Sequence, residues 1–285
     1  MRSFLKSGLR RIVTGNETNA PVARARGTRN ATVIAVAAQK GGVGKTTTSV
    51  NLASAFARYH GKRVLLVDLD PQGHVHTALK EQIRVGGGCL SDVLTGDEGA
   101  EVIDIRTATS VPDLDVTPFD AGLGATENLL GTRIGKEYVL RDALDVTRSF
   151  YDVIVIDCPP NLGNLTLNGL VAADSVLIPC DPSPLALSGV HALVDAIRGV
   201  ARLNPNIDVL GILMTRVDGR NVTLNTAVQD EIEKSYGEAL LPVQIGINNA
   251  LSKAQHSGVD IFAFDENSRG AQHYKALADA LTAQI

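Results

Sequence analysis

The stretch Gln39-Lys40-Gly41-Gly42-Val43-Gly44-Lys45-Thr46-Thr47 sets two lysines five residues apart around a glycine cluster. Gly41, Gly42 and Gly44 free the backbone to curl so that its N–H groups converge on an anion. A helix starting just after them adds the positive end of its dipole. Lys45 then stands where a cation reaches the β- and γ-phosphates of a nucleotide, and the Thr46 hydroxyl where it ligates Mg2+. One lysine suffices for that task. The second, Lys40, precedes the paired glycines, while Gln39 replaces the first glycine of the common pattern G-x-x-x-x-G-K-[ST]. Three carboxylates end apolar runs elsewhere: Asp68 and Asp70 close RVLLVDLD, expected on opposite sides of it, and Asp157 closes YDVIVIDC.

Such residues need a scaffold, and the chain supplies an alternation. Apolar runs of strand length occur at TVIAVAA, RVLLVDLD, LDVTPF, YDVIVIDC, SVLIPCD and DVLGILMTRV. Between most of them lie stretches of helical periodicity, at 47–59, 136–149, 187–203 and 224–238. Strands that are apolar throughout suit a parallel sheet covered on both faces. The expected fold is α/β: a single P-loop domain over 31–285 with a mostly parallel twisted β-sheet flanked by helices on both faces.

Composition bounds the rest. At 285 residues and 44% hydrophobic, the chain can bury a full core. No apolar run approaches the 18 residues of a membrane span, and charges interrupt MRSFLKSGLRRIV before a secretory core develops. Cys89, Cys158 and Cys180 form no CxxC pair, so a reduced cytoplasm is expected and neither a disulfide framework nor a zinc site. His74 and His76 lack a third ligand and read as a loop or surface pair; Cys158 reads as a small core side chain. Residues 1–30 hold seven Lys/Arg against Glu17 alone, net +6, while the remainder nets −10. This basic extension is expected to be largely flexible and to have its own anionic partner. Within it Phe4, Leu5, Leu9, Ile12 and Val13 recur at helical spacing, with Lys6, Arg10 and Arg11 on another face, as in a short amphipathic segment.

The arrangement KGGVGKTT resembles the deviant phosphate loop of the ParA/MinD family of ATPases. RVLLVDLDPQG (63–73) resembles that family's second acidic motif, YDVIVIDCPPNLG (151–163) its Walker B strand, and SRGAQHYKALADAL (268–281) its closing helix. The wording of DLDPQG and DCPPNLG is nearest to ParA-type partition and positioning ATPases. The resemblance implies an ATP hydrolase using ATP and Mg2+, with the nucleotide held by Lys40, Gly41, Gly42, Val43, Gly44, Lys45, Thr46 and Thr47. It implies that two subunits close face to face around two ATP molecules, Lys40 crossing to the nucleotide of the partner. Asp70 would position the attacking water; Thr46, Asp68 and Asp157 would serve the Mg2+. Pro159 and Pro160 would stiffen a γ-phosphate-sensing loop. Thr215, Arg216, Gly246 and Ile247 are candidates for the adenine pocket.

The resemblance further implies a cytoplasmic homodimer that binds nucleoid DNA without sequence preference when ATP-bound, stimulated by a ParB-like protein or an adaptor. Here the chain departs from the pattern. Ile247 and Ala250 stand where arginines are common, and Glu266 and Asn267 replace Pro and Arg. Arg216, Arg220, Lys253, Arg269 and Lys275 remain as candidate DNA contacts, with the basic extension as a substitute. The alternatives are a MinD- or flagellar-regulator-like ATPase working at the membrane, for which only the N-terminal segment could serve as anchor, and a metabolic enzyme of the wider superfamily. The uncharged C-terminal stretch and DLDPQG, respectively, disfavour them.

Overall fold

The computed structural model describes residues 26–96, 101–183 and 185–285. Its strands are β1 (Thr32–Val36), β2 (Val64–Asp68), β3 (Thr107–Ala108), β4 (Leu114–Val116), β5 (Val153–Asp157), β6 (Ser175–Cys180), β7 (Asp208–Val217) and β8 (Leu240–Gly246). They form one sheet in the order β3-β4-β2-β5-β1-β6-β7-β8, parallel throughout except for β3 against β4. The longer helices are α1 (Lys45–His60), α2 (Leu123–Leu130), α3 (Asn164–Ala172), α4 (Ala186–Val200), α5 (Val222–Tyr236), α6 (Asn249–Ser257) and α7 (Arg269–Thr282).

Alternation along the central strands fills two apolar layers. Val33 and Ala35 of β1 join Leu65, Val67, Ile154 and Ile156 under α2, α3 and α4. Ile34 and Val36 join Leu66 and Val155 under α1 and α7. Burying a Val, Leu or Ile side chain contributes about 1.5–3 kcal/mol, so the register of these strands is strongly specified. That register sets the site. Val36 pairs with Asp157 and Asp157 with Asp68, so β1, β5 and β2 finish on one rung. The chain leaves β1 through α1 toward β2 on one side and later crosses through α3 to β6 on the other. The crevice outside the carboxyl ends at such a switch is where open α/β sheets bind ligands.

Some expectations are revised. The stretch 136–149 is not one helix: a 3-10 turn at Lys136–Tyr138, a short helix at Val139–Ala143 and another turn at Thr147–Phe150 replace it. A tertiary bond intervenes, Leu140 N donating to Asn168 Oδ1 of α3 at 3.1 Å. Two strands go beyond the six apolar runs. β3 is a two-residue antiparallel addition, and β8 contains Pro242, which a sheet tolerates at its edge because no ladder donor is needed there.

Residues 26–30 run along the foot of the sheet. Gly27 N donates to Ser149 Oγ at 2.8 Å, Arg29 N to Ser149 O at 3.0 Å and Arg29 Nε to Asp152 Oδ1 at 3.1 Å. A Cβ on Gly27 would lie 2.0 Å from Ser149 O, so a side chain does not fit there. The amphipathic segment at 4–13, with the rest of 1–25, lies outside the described residues. Among the described residues no helix is long and apolar enough to cross a membrane.

Candidate functional site

The loop between β1 and α1 turns through left-handed backbone at Gly42 (φ +76°) and Gly44 (φ +87°), a conformation that costs glycine little. Lys45 opens α1 with its side chain mostly buried. Its Nζ donates to Lys40 O at 3.3 Å. Burial pushes the Lys45 ammonium pKa down, against the attraction of Asp157 and Asp70. In the first turn of the helix, Thr46 Oγ1 donates to Asp157 Oδ2, and one turn on from Lys45 Ser49 Oγ donates to Asp157 Oδ1, both at 2.7 Å. Asp157 is fully buried, and that burial raises its carboxyl to about 6 despite the two hydroxyls.

Asp68, one strand over, is also buried. Burial and then the Asp157 charge push its carboxyl well up, and Asp68 Oδ2 has no hydrogen-bond partner. Asp70 lies two residues past the end of β2. Asp70 N donates to Asp68 Oδ1 at 3.0 Å, and Gln72 N donates to Asp70 Oδ1 at 3.0 Å. The two carboxylates do not part to opposite sides. Residues two apart on an extended chain share a face, and Asp68, Asp70 and Asp157 act on one another electrostatically beside Lys45.

A cleft of about 420 Å3 opens above this cluster. Gly41, Gly42, Gly44, Lys45, Thr46 and Thr47 line its floor, with Asp70, His74 and Pro160 also in its lining. Thr215, Arg216, Gly246 and Ile247 line it as well, so the candidates for the adenine pocket and the phosphate loop share one cavity. Val43 is buried and serves as an anchor: Thr215 Oγ1 donates to Val43 O at 2.7 Å. Arg216 Nη1 donates to Gly42 O at 2.9 Å from a left-handed backbone, φ +53°. The end of β7 thereby braces the phosphate loop.

The donor set fits a nucleotide with a divalent cation. A buried lysine, a turn of free N–H groups and a helix N-terminus suit phosphate. Crowded carboxylates with raised pKa values and an unpartnered buried oxygen on Asp68 suit a cation. No group of three or more His, Cys, Asp or Glu side chains among the described residues could hold a metal alone. Mg2+ shared with phosphates needs no such cage.

Lys40 does not line this cleft. Its Nζ lies 3.0 and 2.8 Å from Asp181 Oδ1 and Oδ2, and 3.0 Å from Ser183 Oγ. His74, which the sequence alone places in a loop or surface pair, lines the cleft with Nδ1 3.8 Å from Asp70 Oδ2. The signal that could have found it is its place four residues after Asp70, at the start of the helix His74–Leu79. The basic candidates are spread out. Arg220 Nε and Nη2 donate to Asp218, Arg269 borders a second cavity with Val217 and Gly219, Lys275 lies over the Tyr59 ring at 4.7 Å, and Lys253 is exposed on α6.

A parallel sheet whose first strand feeds a glycine loop and a helix, with an acidic strand end beside it, is the architecture of P-loop nucleoside triphosphatases. The family described as AAA domain matches residues 31–209. The sporulation initiation inhibitor protein Soj of Bacillus subtilis is 43% identical over 252 residues, covering 88% of this chain and 98% of its own. The chromosome partitioning protein ParA of Caulobacter vibrioides is 40% identical over 249 residues, covering 86% and 92%. Among solved structures, a cobyrinic acid a,c-diamide synthase from Mycobacterium smegmatis with bound ADP and magnesium matches with a TM-score of 0.75 at 34% identity, covering 89% and 95%. The chain belongs to the ParA/MinD family of P-loop ATPases, with relatives of the ParA type. It is an ATP hydrolase whose cofactors are ATP and Mg2+.

Proposed function

We propose that this ATPase positions or segregates a cargo (a plasmid, a chromosome region or a protein complex) by closing into an ATP-bound homodimer that holds DNA without sequence preference. Hydrolysis, stimulated by a ParB-like or adaptor partner, then releases it. The observation that carries the reading is Lys40, a second lysine at the phosphate loop whose Nζ bonds Asp181 and Ser183 and which does not line its own nucleotide cleft. Relatives named for chromosome partitioning support it.

In this reading Lys45 binds the β- and γ-phosphates, and Thr46 and Asp157 hold the metal shell with Asp68 behind them. Asp70 orients the attacking water, and Lys40 meets the nucleotide of the partner. Mg2+ held there would supply positive charge against the negative charge that develops in phosphoryl transfer. The adenine packs near Thr215, Arg216, Gly246 and Ile247. The protein works in the cytoplasm, on the nucleoid while ATP-bound.

The test is sizing chromatography and DNA gel shift of the full chain with Mg-ADP and with a slowly hydrolysed ATP analogue. A dimer and salt-sensitive DNA binding are expected with the analogue alone. A monomer in both nucleotides, or binding to anionic vesicles instead of DNA, would overturn the reading. The similarity to a diamide synthase favours a second reading, ATP-driven amide formation on a small carboxylic acid. Turnover that depends on such an acid, and not on DNA or a protein partner, would select it.

A further inference from the structure

The loop after Asp157 reaches the nucleotide cleft through Pro160, and its far end is held by a residue outside the site described so far. Glu127 of α2 accepts from Asn164 N at 2.6 Å through Oε1 and from Leu165 N at 2.8 Å through Oε2. Asn164 Nδ2 donates back to Glu127 O at 3.0 Å. These are the first two N–H groups of α3, which no helical carbonyl satisfies. A carboxylate placed there also meets the positive end of the helix dipole. From inside the helix, Thr166 Oγ1 donates back to Asn161 O at 2.5 Å. Gly163 makes the approach possible, since a Cβ there would lie 2.2 Å from Glu127 Oε1.

The segment leading into α2 packs against the other loop of the cleft, the turn after Asp70. A Cβ on Gly124 would sit 4.0 Å from Pro71 Cβ, and Phe119, just ahead of α2, covers Gly73 so closely that a Cβ there would lie 2.1 Å from its ring. Leu123, Thr126 and Leu130 bury α2 against the core. The anchored helix and the segment leading into it therefore lie beside the turn that follows Asp70 and cap the helix that follows Pro160.

We propose that Glu127 is a positioning residue for hydrolysis. By clamping the first turn of α3 it fixes the loop 159–163 relative to Asp70, across the space that the γ-phosphate occupies. The inference rests on ATP turnover in this cleft and not on the dimer or on DNA. The phosphate loop grips the remaining phosphates without this loop. Freeing the clamp therefore lowers turnover and the preference for ATP over ADP, while ADP binding is kept.

The experiment uses the full chain with Glu127→Ala, Glu127→Gln, Gly163→Ala and the Glu127→Ala/Gly163→Ala pair. Readouts are Mg-ATP turnover by phosphate release, and dissociation constants for fluorescent ADP and an ATP analogue. Glu127→Ala is expected to lower kcat on the order of 10-fold, as small misplacements of reacting groups do, with the ADP constant changed less than about twofold. Glu127→Gln, keeping one acceptor, should fall between. Gly163→Ala, whose backbone is ordinary (φ −87°), displaces the carboxylate and should copy Glu127→Ala. The double variant should fall no further, since both changes remove the same clamp. Unchanged kcat in Glu127→Ala and Glu127→Gln overturns the proposal. So does a loss of ADP affinity as large as the loss of kcat, or full additivity in the double variant. If Glu127→Ala does not fold, Glu127→Gln and Gly163→Ala decide alone.

Discussion

Lys40 Nζ sits between both carboxylate oxygens of Asp181, at 3.0 and 2.8 Å, and neither residue lines the nucleotide cleft. In the proposed dimer this pair has to open before Lys40 can cross. The lysine side chain is 39% exposed, and pairs so exposed contribute about 0–1 kcal/mol, so the latch is weak and serves as a bias. Asp181→Asn is expected to lower the ATP-analogue concentration for dimerisation by about fivefold or less, that energy at most. A variant that stays monomeric at every analogue concentration in sizing chromatography would argue that Asp181 has another task.

The two lysines should separate cleanly. Lys45→Ala removes a buried cation from the phosphates and is expected to weaken nucleotide binding by on the order of 100-fold, a common effect when one partner of a buried charge pair is removed. Lys40→Ala should bind nucleotide nearly as the parent does and fail to dimerise. Calorimetry beside sizing chromatography checks both. Equal loss of affinity in the two variants would remove Lys40 from any role across an interface.

Asp70 is held by its own turn, with Gln72 N on Oδ1, and lines the cleft. Asp70→Ala is expected to cut partner-stimulated turnover on the order of 100-fold or more, the scale of a missing general base or water-orienting group, while leaving an ATP-bound dimer intact. Phosphate release measured beside sizing chromatography reads both; parental turnover would exclude the assignment.

Ser49 donates to a fully buried carboxylate oxygen of Asp157. Ser49→Ala leaves that oxygen without this donor and should destabilise the fold by about 1–3 kcal/mol, the usual cost of an unsatisfied buried acceptor. Urea unfolding with and without Mg-nucleotide measures it. A midpoint unchanged in the nucleotide-free protein would show that the hydrogen bond contributes nothing net.

Deletion of 1–25 preserves the bonds of Gly27 and Arg29 to the body while removing five Lys/Arg. ATP turnover should stay near the parental rate. DNA binding should weaken, and the slope of log affinity against log salt should become shallower by about 0.9 for each phosphate no longer neutralised. DNA binding that persists there but falls with Arg220→Ala or Arg269→Ala would move the interface to the C-terminal surface.

The phosphate loop is legible in the sequence because its residues are local: glycines, lysine and threonine in one short run set their own geometry. The six apolar runs become strands because burial on both faces leaves a pattern that survives any topology. Clamps formed at a distance leave no such trace. Glu127 meets Asn164 and Leu165 across 37 and 38 residues, and Lys40 meets Asp181 across 141; nothing in either neighbourhood marks the partner. The edge strand β8 escapes a sequence reading because Pro242 looks like a break, and edge placement belongs to the fold. His74 carries no metal signal, and its position beside the turn after Asp70 is what brings it to the cleft.

The docking of residues 26–30 at the foot of β1 has a mechanical meaning. One strand begins where the basic extension joins and ends in the phosphate loop. A pull on that extension would load β1 along its length, against rungs to β5 on one side and β6 on the other. Hydrogen bonds arranged this way share a load in shear and do not unzip one by one. Tension on the extension would then be borne by the five residues of the strand that feeds the phosphate loop.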